Sequence, residues 1–182
     1  MKGFTREDQL FSLCGLNCGL CPMRLDGHCP GCGGGAGNQS CKIARCGLEH
    51  GAPAYCFQCG EFPCETYEGI DAFDSFITHR NRLADLEKAR TGGLEAYHGE
   101  QAERREILEF FLARCNDGRR KTLFCLAVNL LSLPALREVF KEAEDAAGLP
   151  LKERGSHVSA LLQAAAEREG VSLKLRRKPR NR

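Results

Sequence analysis

Residues 14–34 read CGLNCGLCPMRLDGHCPGCGG, and five cysteines fall within the first nineteen positions of that stretch. Five more follow by Cys64, leaving only Cys115 and Cys125 in the rest of the 182 residues. Between residues 14 and 64 there are also eleven glycines but only nine large apolar side chains. So little apolar surface does not offset a backbone entropy cost of about 1–2 kcal/mol per residue. Something must staple this half of the chain. A structural zinc ion contributes about 10–16 kcal/mol of apparent binding energy to folding, which is the right size.

The cysteine spacing from Cys14 to Cys64 is C-x3-C-x2-C-x7-C-x2-C-x8-C-x4-C-x9-C-x2-C-x4-C. Cys18/Cys21, Cys29/Cys32 and Cys56/Cys59 are C-x2-C pairs, whose tight turn brings two thiolates onto one tetrahedral metal. Gly33 and Gly60 follow two of the pairs directly. A positive φ there would curl the backbone and point amides at sulfur. All ten of Cys14, Cys18, Cys21, Cys29, Cys32, Cys41, Cys46, Cys56, Cys59 and Cys64 are therefore candidate metal ligands. One division groups Cys18, Cys21, Cys29 and Cys32, with a second site drawn from the later five. His28 and His50 lie within the cluster and are read as loop residues, with ligation as the alternative.

Two zinc ions in four-cysteine sites are the favoured cofactors, because glycine-trailed knuckles suit a closed site. The competing reading is an iron–sulfur cluster, which accepts the same thiolates. Cys14, Cys18 and Cys21 have the C-x3-C-x2-C spacing of radical S-adenosylmethionine enzymes. The residues that follow do not alternate strands and helices as the barrel of those enzymes requires.

The rest of the chain has helical periodicity. Helices are predicted in THRNRLADLEKARTGG, ended by Gly92 or Gly93, and in LEAYHGEQAERREILEFFLARCNDG, with Ile107, Leu108, Phe111, Leu112 and Cys115 on one face. KTLFCLAVNLL is apolar nearly all round and predicts a buried central helix. PALREVFKEAEDAAG predicts another, with Leu136, Val139, Phe140 and Ala143 inward. Gly155 and Ser156 open a last helix, HVSALLQAAAEREG, and the alternation in VSLKL reads as a short edge strand. Cys115 and Cys125 are expected to be small buried hydrophobes.

The expected fold is thus a small, loop-rich, metal-stapled domain over residues 1–65, followed by a mostly α-helical domain over 66–182 with a basic C-terminal tail. Apolar and charged fractions of 42% and 27% are those of a soluble globule. The formal charge is +2. It would fall to about −2 with eight thiolates on two zinc ions, so charge alone names no acidic partner.

No stretch reaches the roughly 18 apolar residues needed to span a membrane. MKGFTREDQLFSL is too polar for a signal peptide. A cytoplasmic location is expected, where clustered cysteines signal metal rather than disulfides.

CGLNCGLCP, CPGC, CKIARC and CFQCGEFPCE resemble, in order, the cysteine signature of a prokaryotic family catalogued as domain of unknown function 3795. DSFITHRNRL, GLEAYHGEQAERREILE and NDGRRKTLFCLAVNLLSLPALREV are similar to its longer members, so the resemblance covers about residues 11 to 145. It implies a cysteine-rich, metal-binding protein and names no substrate.

No acid–base or nucleophile constellation is present, and the chain is not read as an enzyme. GCGGGAGNQS lacks the strand and Gly-Lys-Ser/Thr ending of a phosphate loop and is read as a flexible loop. The expected role is an interaction module for a protein partner. Nucleic acid, reached through the knuckles and the tail KLRRKPRNR, is the less favoured partner.

Overall fold

A computed structural model describes residues 3–35 and 41–179. It is mostly helical, and no strand is present among the described residues. The helices are α1 (Pro22–Leu25), α2 (Lys42–Glu49), α3 (Arg82–Gly92), α4 (Leu94–Arg114), α5 (Lys121–Leu130), α6 (Leu133–Asp145) and α7 (Leu151–Arg168). Single 3-10 turns lie at Cys18–Leu20, Cys56–Gln58, Glu65–Tyr67 and Ala146–Gly148. The glycine-rich stretch expected to be a flexible loop falls partly at 36–40, outside the described residues, as do the last three residues of the basic tail.

The chain forms two compact units, Met1–His98 with Leu175–Arg182, and Gly99–Lys174. The division lies beyond the compositional break at residue 65, for a reason visible in the packing. Phe11 and Tyr55 from the cysteine-rich half, with Tyr67 just after it, share one buried cluster with Leu86, Ala89 and Tyr97 from α3 and the start of α4. The cysteine-rich residues borrow from these helices the apolar partners that their own composition lacks. A second cluster joins Phe4, Leu13 and Cys14 to Ile43 and Ala44 of α2.

In the first unit, α3 stops where expected, with Gly93 at φ 87°. The irregular stretch 68–81 is ordered by Asp74, whose side chain is fully buried. Its carboxylate accepts the backbone N–H of His79 (2.8 Å) and of Arg176 (2.8 Å), while the Asp74 N–H donates to the Arg176 carbonyl (2.8 Å). Burial alone would raise its pKa, but the backbone and guanidinium bonds from Arg176 and the His79 amide outweigh that and lower it. The basic tail is therefore tied down at its third residue. VSLKL forms no strand: Leu173 is buried, but no neighbouring strand exists among the described residues to pair with it.

In the second unit, Ile107, Leu108 and Phe111 are buried along α4 and Leu112 is half-buried, while Cys115 is buried just past the helix end. Phe111 meets Phe124 of α5 at 5.5 Å, and Phe110 meets Phe140 of α6 edge-on at 4.8 Å. Helix α5 is buried from Phe124 to Asn129, as its apolar run predicts, and Cys125 is inside with it. Ser132 caps α6, accepting the Ala135 N–H, with Pro134 in the first turn. Helix α7 begins at Leu151, after Pro150, and not at Gly155. Gly155 sits inside the helix because a Cβ there would strike the Cys115 carbonyl oxygen.

Candidate metal centre

The motif CGLNC is shaped by its polar residues. The Ser12 amide donates to the Leu16 carbonyl (2.8 Å), and the Leu16 amide returns to the Ser12 hydroxyl (2.7 Å). Gly15, at φ 90°, has the Arg82 carbonyl and Leu86 against its α-carbon, so a side chain there would collide with α3. Asn17 is 6% exposed; its side-chain amide donates to Asp85 (3.0 Å) and its side-chain oxygen accepts the Tyr97 hydroxyl (3.0 Å). Those contacts seat the loop on α3 and α4. Sequence reasoning passed over Asn17, although an Asn between two candidate ligands is a signal for a fixed loop.

None of the twelve cysteines is in a disulfide. Two of the C-x2-C segments are turns, with the Cys21 amide bonded to the Cys18 carbonyl (3.1 Å) and the Cys59 amide to the Cys56 carbonyl (3.0 Å). In the Cys29/Cys32 segment the Gly31 N–H points at the Cys29 sulfur at 3.5 Å. Gly33 has the positive φ expected of it (79°), and Gly60 does not; the second knuckle closes through its 3-10 turn instead.

Cys32, Cys14 and Cys21 all neighbour Cys18. Burial, then the neighbouring sulfurs of Cys32, Cys14 and Cys21, push the Cys18 thiol far above its usual range, against the Cys32 backbone N–H that donates to it. Burial likewise raises Cys32, with the Leu13 N–H and Arg6 acting the other way. Cys14 is itself buried, its sulfur 3.3 Å from the Ser12 hydroxyl.

Cys46, Cys56, Cys59 and Cys64 line a single cavity of about 30 Å³. The Cys56 amide donates to the Leu13 carbonyl (2.9 Å), tying this knuckle to the first cysteine segment. Burial pushes Cys56 up to about 12, the Tyr67 hydroxyl opposes that, and the sulfurs of Cys14, Cys46 and Cys64 add to it. Cys46 is raised by burial, then by Cys64, Cys59, Glu49 and Glu61.

His50 also lines the cavity, but its Nδ1 is 2.9 Å from the Cys46 carbonyl oxygen and its Nε2 is 3.6 Å from Glu61. His28 is exposed. Cys41 is the N-cap residue of α2 and packs against the Phe4/Leu13/Ile43 cluster.

Among the described residues, no three His, Cys, Asp or Glu side chains converge closely enough to hold a metal ion as they stand. The donor chemistry nevertheless suits a cation. Neighbouring sulfurs disfavour one another's ionisation, and a divalent ion shared by four of them reverses that sign and leaves thiolates. A cavity of about 30 Å³ exceeds the roughly 10–15 Å³ that one water requires and is far below a small-molecule site.

No helix among the described residues is long and apolar enough to cross a membrane. No family model, curated protein or solved structure matches the chain.

Proposed function

We propose that the first unit is a metal-binding module with structural zinc in four-cysteine sites, in a protein of a reducing cytoplasm that acts by docking a protein partner. The observation that carries this reading is that four thiols, Cys46, Cys56, Cys59 and Cys64, line one small pocket. Cys14, Cys18, Cys21 and Cys32 supply the second set, with Cys29 and Cys41 as further candidate ligands. The resemblance of the cysteine signature to the family catalogued as domain of unknown function 3795 supports the same reading. Phe73 and Phe76, 41% and 63% exposed in the stretch 68–81, are apolar groups available to a partner.

An iron–sulfur cluster is the second reading, favoured by one observation: Cys14 and Cys21 both neighbour Cys18, as their C-x3-C-x2-C spacing requires. Elemental analysis of protein purified anaerobically without added metal separates the two. About two zinc ions per chain is the expected result. Iron with acid-labile sulfide would select the cluster, and folded protein with neither metal would overturn the proposal.

A further inference from the structure

The chain has three tyrosines, and two donate their hydroxyls to oxygen. Tyr55 bonds the Asp8 carboxylate at 2.6 Å and Tyr97 bonds Asn17 at 3.0 Å. Tyr67 does not. Its side chain is buried at 7% exposure, and its hydroxyl is sealed from solvent with no hydrogen bond of ordinary geometry. That ring lines the same cavity as the four thiols, and the Cys56 sulfur is the group its hydroxyl faces.

The position is set by local structure. Tyr67 closes the 3-10 turn Glu65–Tyr67, its amide bonded to the Cys64 carbonyl at 2.9 Å, so the ring follows directly on a candidate ligand. Phe62 packs edge-on against it at 5.5 Å, and the Phe11/Tyr55/Leu86 cluster takes the rest of the ring. Packing alone would be served by Phe. The hydroxyl adds a buried donor whose facing group, a neutral thiol, is a poor acceptor, which is unfavourable. Beside a thiolate the same O–H makes a charge-assisted bond, which is about twice as strong as a neutral one.

We propose that Tyr67 is a positioning residue of the metal site, donating its hydroxyl proton in a hydrogen bond to the Cys56 thiolate once an ion is bound by Cys46, Cys56, Cys59 and Cys64. The inference rests on the metal reading above. It makes the hydroxyl a burden on the metal-free protein and a gain on the loaded one. Groups holding a ligand from outside in this way are worth about 10–100-fold in metal affinity.

The test is Tyr67→Phe in the full chain, titrated with Co2+ alone in competition with a chelator, with the thiolate-to-cobalt charge-transfer absorption recorded. The expected result is one equivalent bound about 10–100-fold more weakly with a shifted band, while the metal-free variant melts no lower than the wild type. Tyr55→Phe is the control: it removes a hydroxyl in the same aromatic cluster and should leave the cobalt affinity unchanged. Wild-type protein with no thiolate–cobalt band overturns the metal reading and this inference with it. Tight binding by the wild type with identical affinity and spectrum in Tyr67→Phe overturns this inference alone. Equal destabilisation of the metal-free and loaded variant would make Tyr67 a packing residue, which also overturns it.

Discussion

Replacing Asn17 with Ala tests how the cysteine loop is held. Asn17 is buried within CGLNC and makes two side-chain bonds, one to the Asp85 carboxylate and one from the Tyr97 hydroxyl, each at 3.0 Å. A bond to a charged group is worth about 1.5–3 kcal/mol and a neutral one about 0.5–1.5 kcal/mol. Because Asp85 is half-buried, the lower end of the charged range applies, and the two losses with the small cavity come to about 3 kcal/mol.

For a unit of about 100 residues that corresponds to a fall in melting temperature of about 12 °C. The assay is specific, since the chain has no Trp and all three tyrosines, Tyr55, Tyr67 and Tyr97, lie in the first unit. Tyrosine emission therefore follows that unit alone, while far-ultraviolet circular dichroism follows both. Combined with Tyr97→Phe in a double-mutant cycle, Asn17→Ala should show a coupling of about 1 kcal/mol. A loss under 1 kcal/mol, or strictly additive effects, would refute the claim that Asn17 seats the loop.

Cys59→Ser should remove one of two bound metal equivalents and lower the tyrosine-detected melt, whereas Cys125→Ser, in the buried α5, should keep both equivalents; equal metal content in the two variants would contradict the ligand assignment. Gly155→Ala, which ordinary helix propensity favours by about 1 kcal/mol, should instead destabilise the second unit by about 1–3 kcal/mol because the new Cβ meets the Cys115 carbonyl; a more stable variant in urea denaturation would show that the contact relaxes. The Asp8 carboxyl is pulled up by burial, but the Tyr55 hydroxyl, the Phe11 and Leu10 amides and the His98 charge together hold it below its usual range. Its folded pKa thus lies under the unfolded one, so its stabilisation is present above about pH 4 and disappears as pH falls through the folded value. Asp8→Asn should flatten the acid side of the stability profile of the first unit, and an unchanged slope would contradict this.

Much of the helical part was legible because its signals are local. Gly93 ends α3 at positive φ, Ser132 with Pro134 starts α6, and the apolar run 123–128 lies inside α5. The start of α7 was not legible: Gly155 looks like a boundary, but it serves a close approach to Cys115 that only the folded chain reveals. The alternation in VSLKL gave a strand signal, but no strand is present among the described residues to pair with it. In the first unit, the abundance of thiols and the lack of core were plain from residues 14–64.

The grouping of sulfurs was not, because spacing does not tell which thiols meet in space: Cys14 neighbours both Cys18 and Cys56. Asn17, Asp74 and Tyr67 were missed for the same reason. Each acts on a partner far along the chain or across a turn, Asp74 on Arg176 most plainly, and no periodic pattern marks such residues. The Asp74–Arg176 tie also shows how the basic tail should be probed: charge removal at Arg177 and Lys178 tests nucleic-acid binding, whereas deletion from Lys174 would dismantle part of the first unit.

The most direct measurement is X-ray absorption at the metal edge of the purified, full-length protein. The account predicts zinc with a shell of four sulfurs at about 2.3 Å. A shell dominated by nitrogen and oxygen at about 2.0 Å, or a folded protein with no zinc edge, would contradict it.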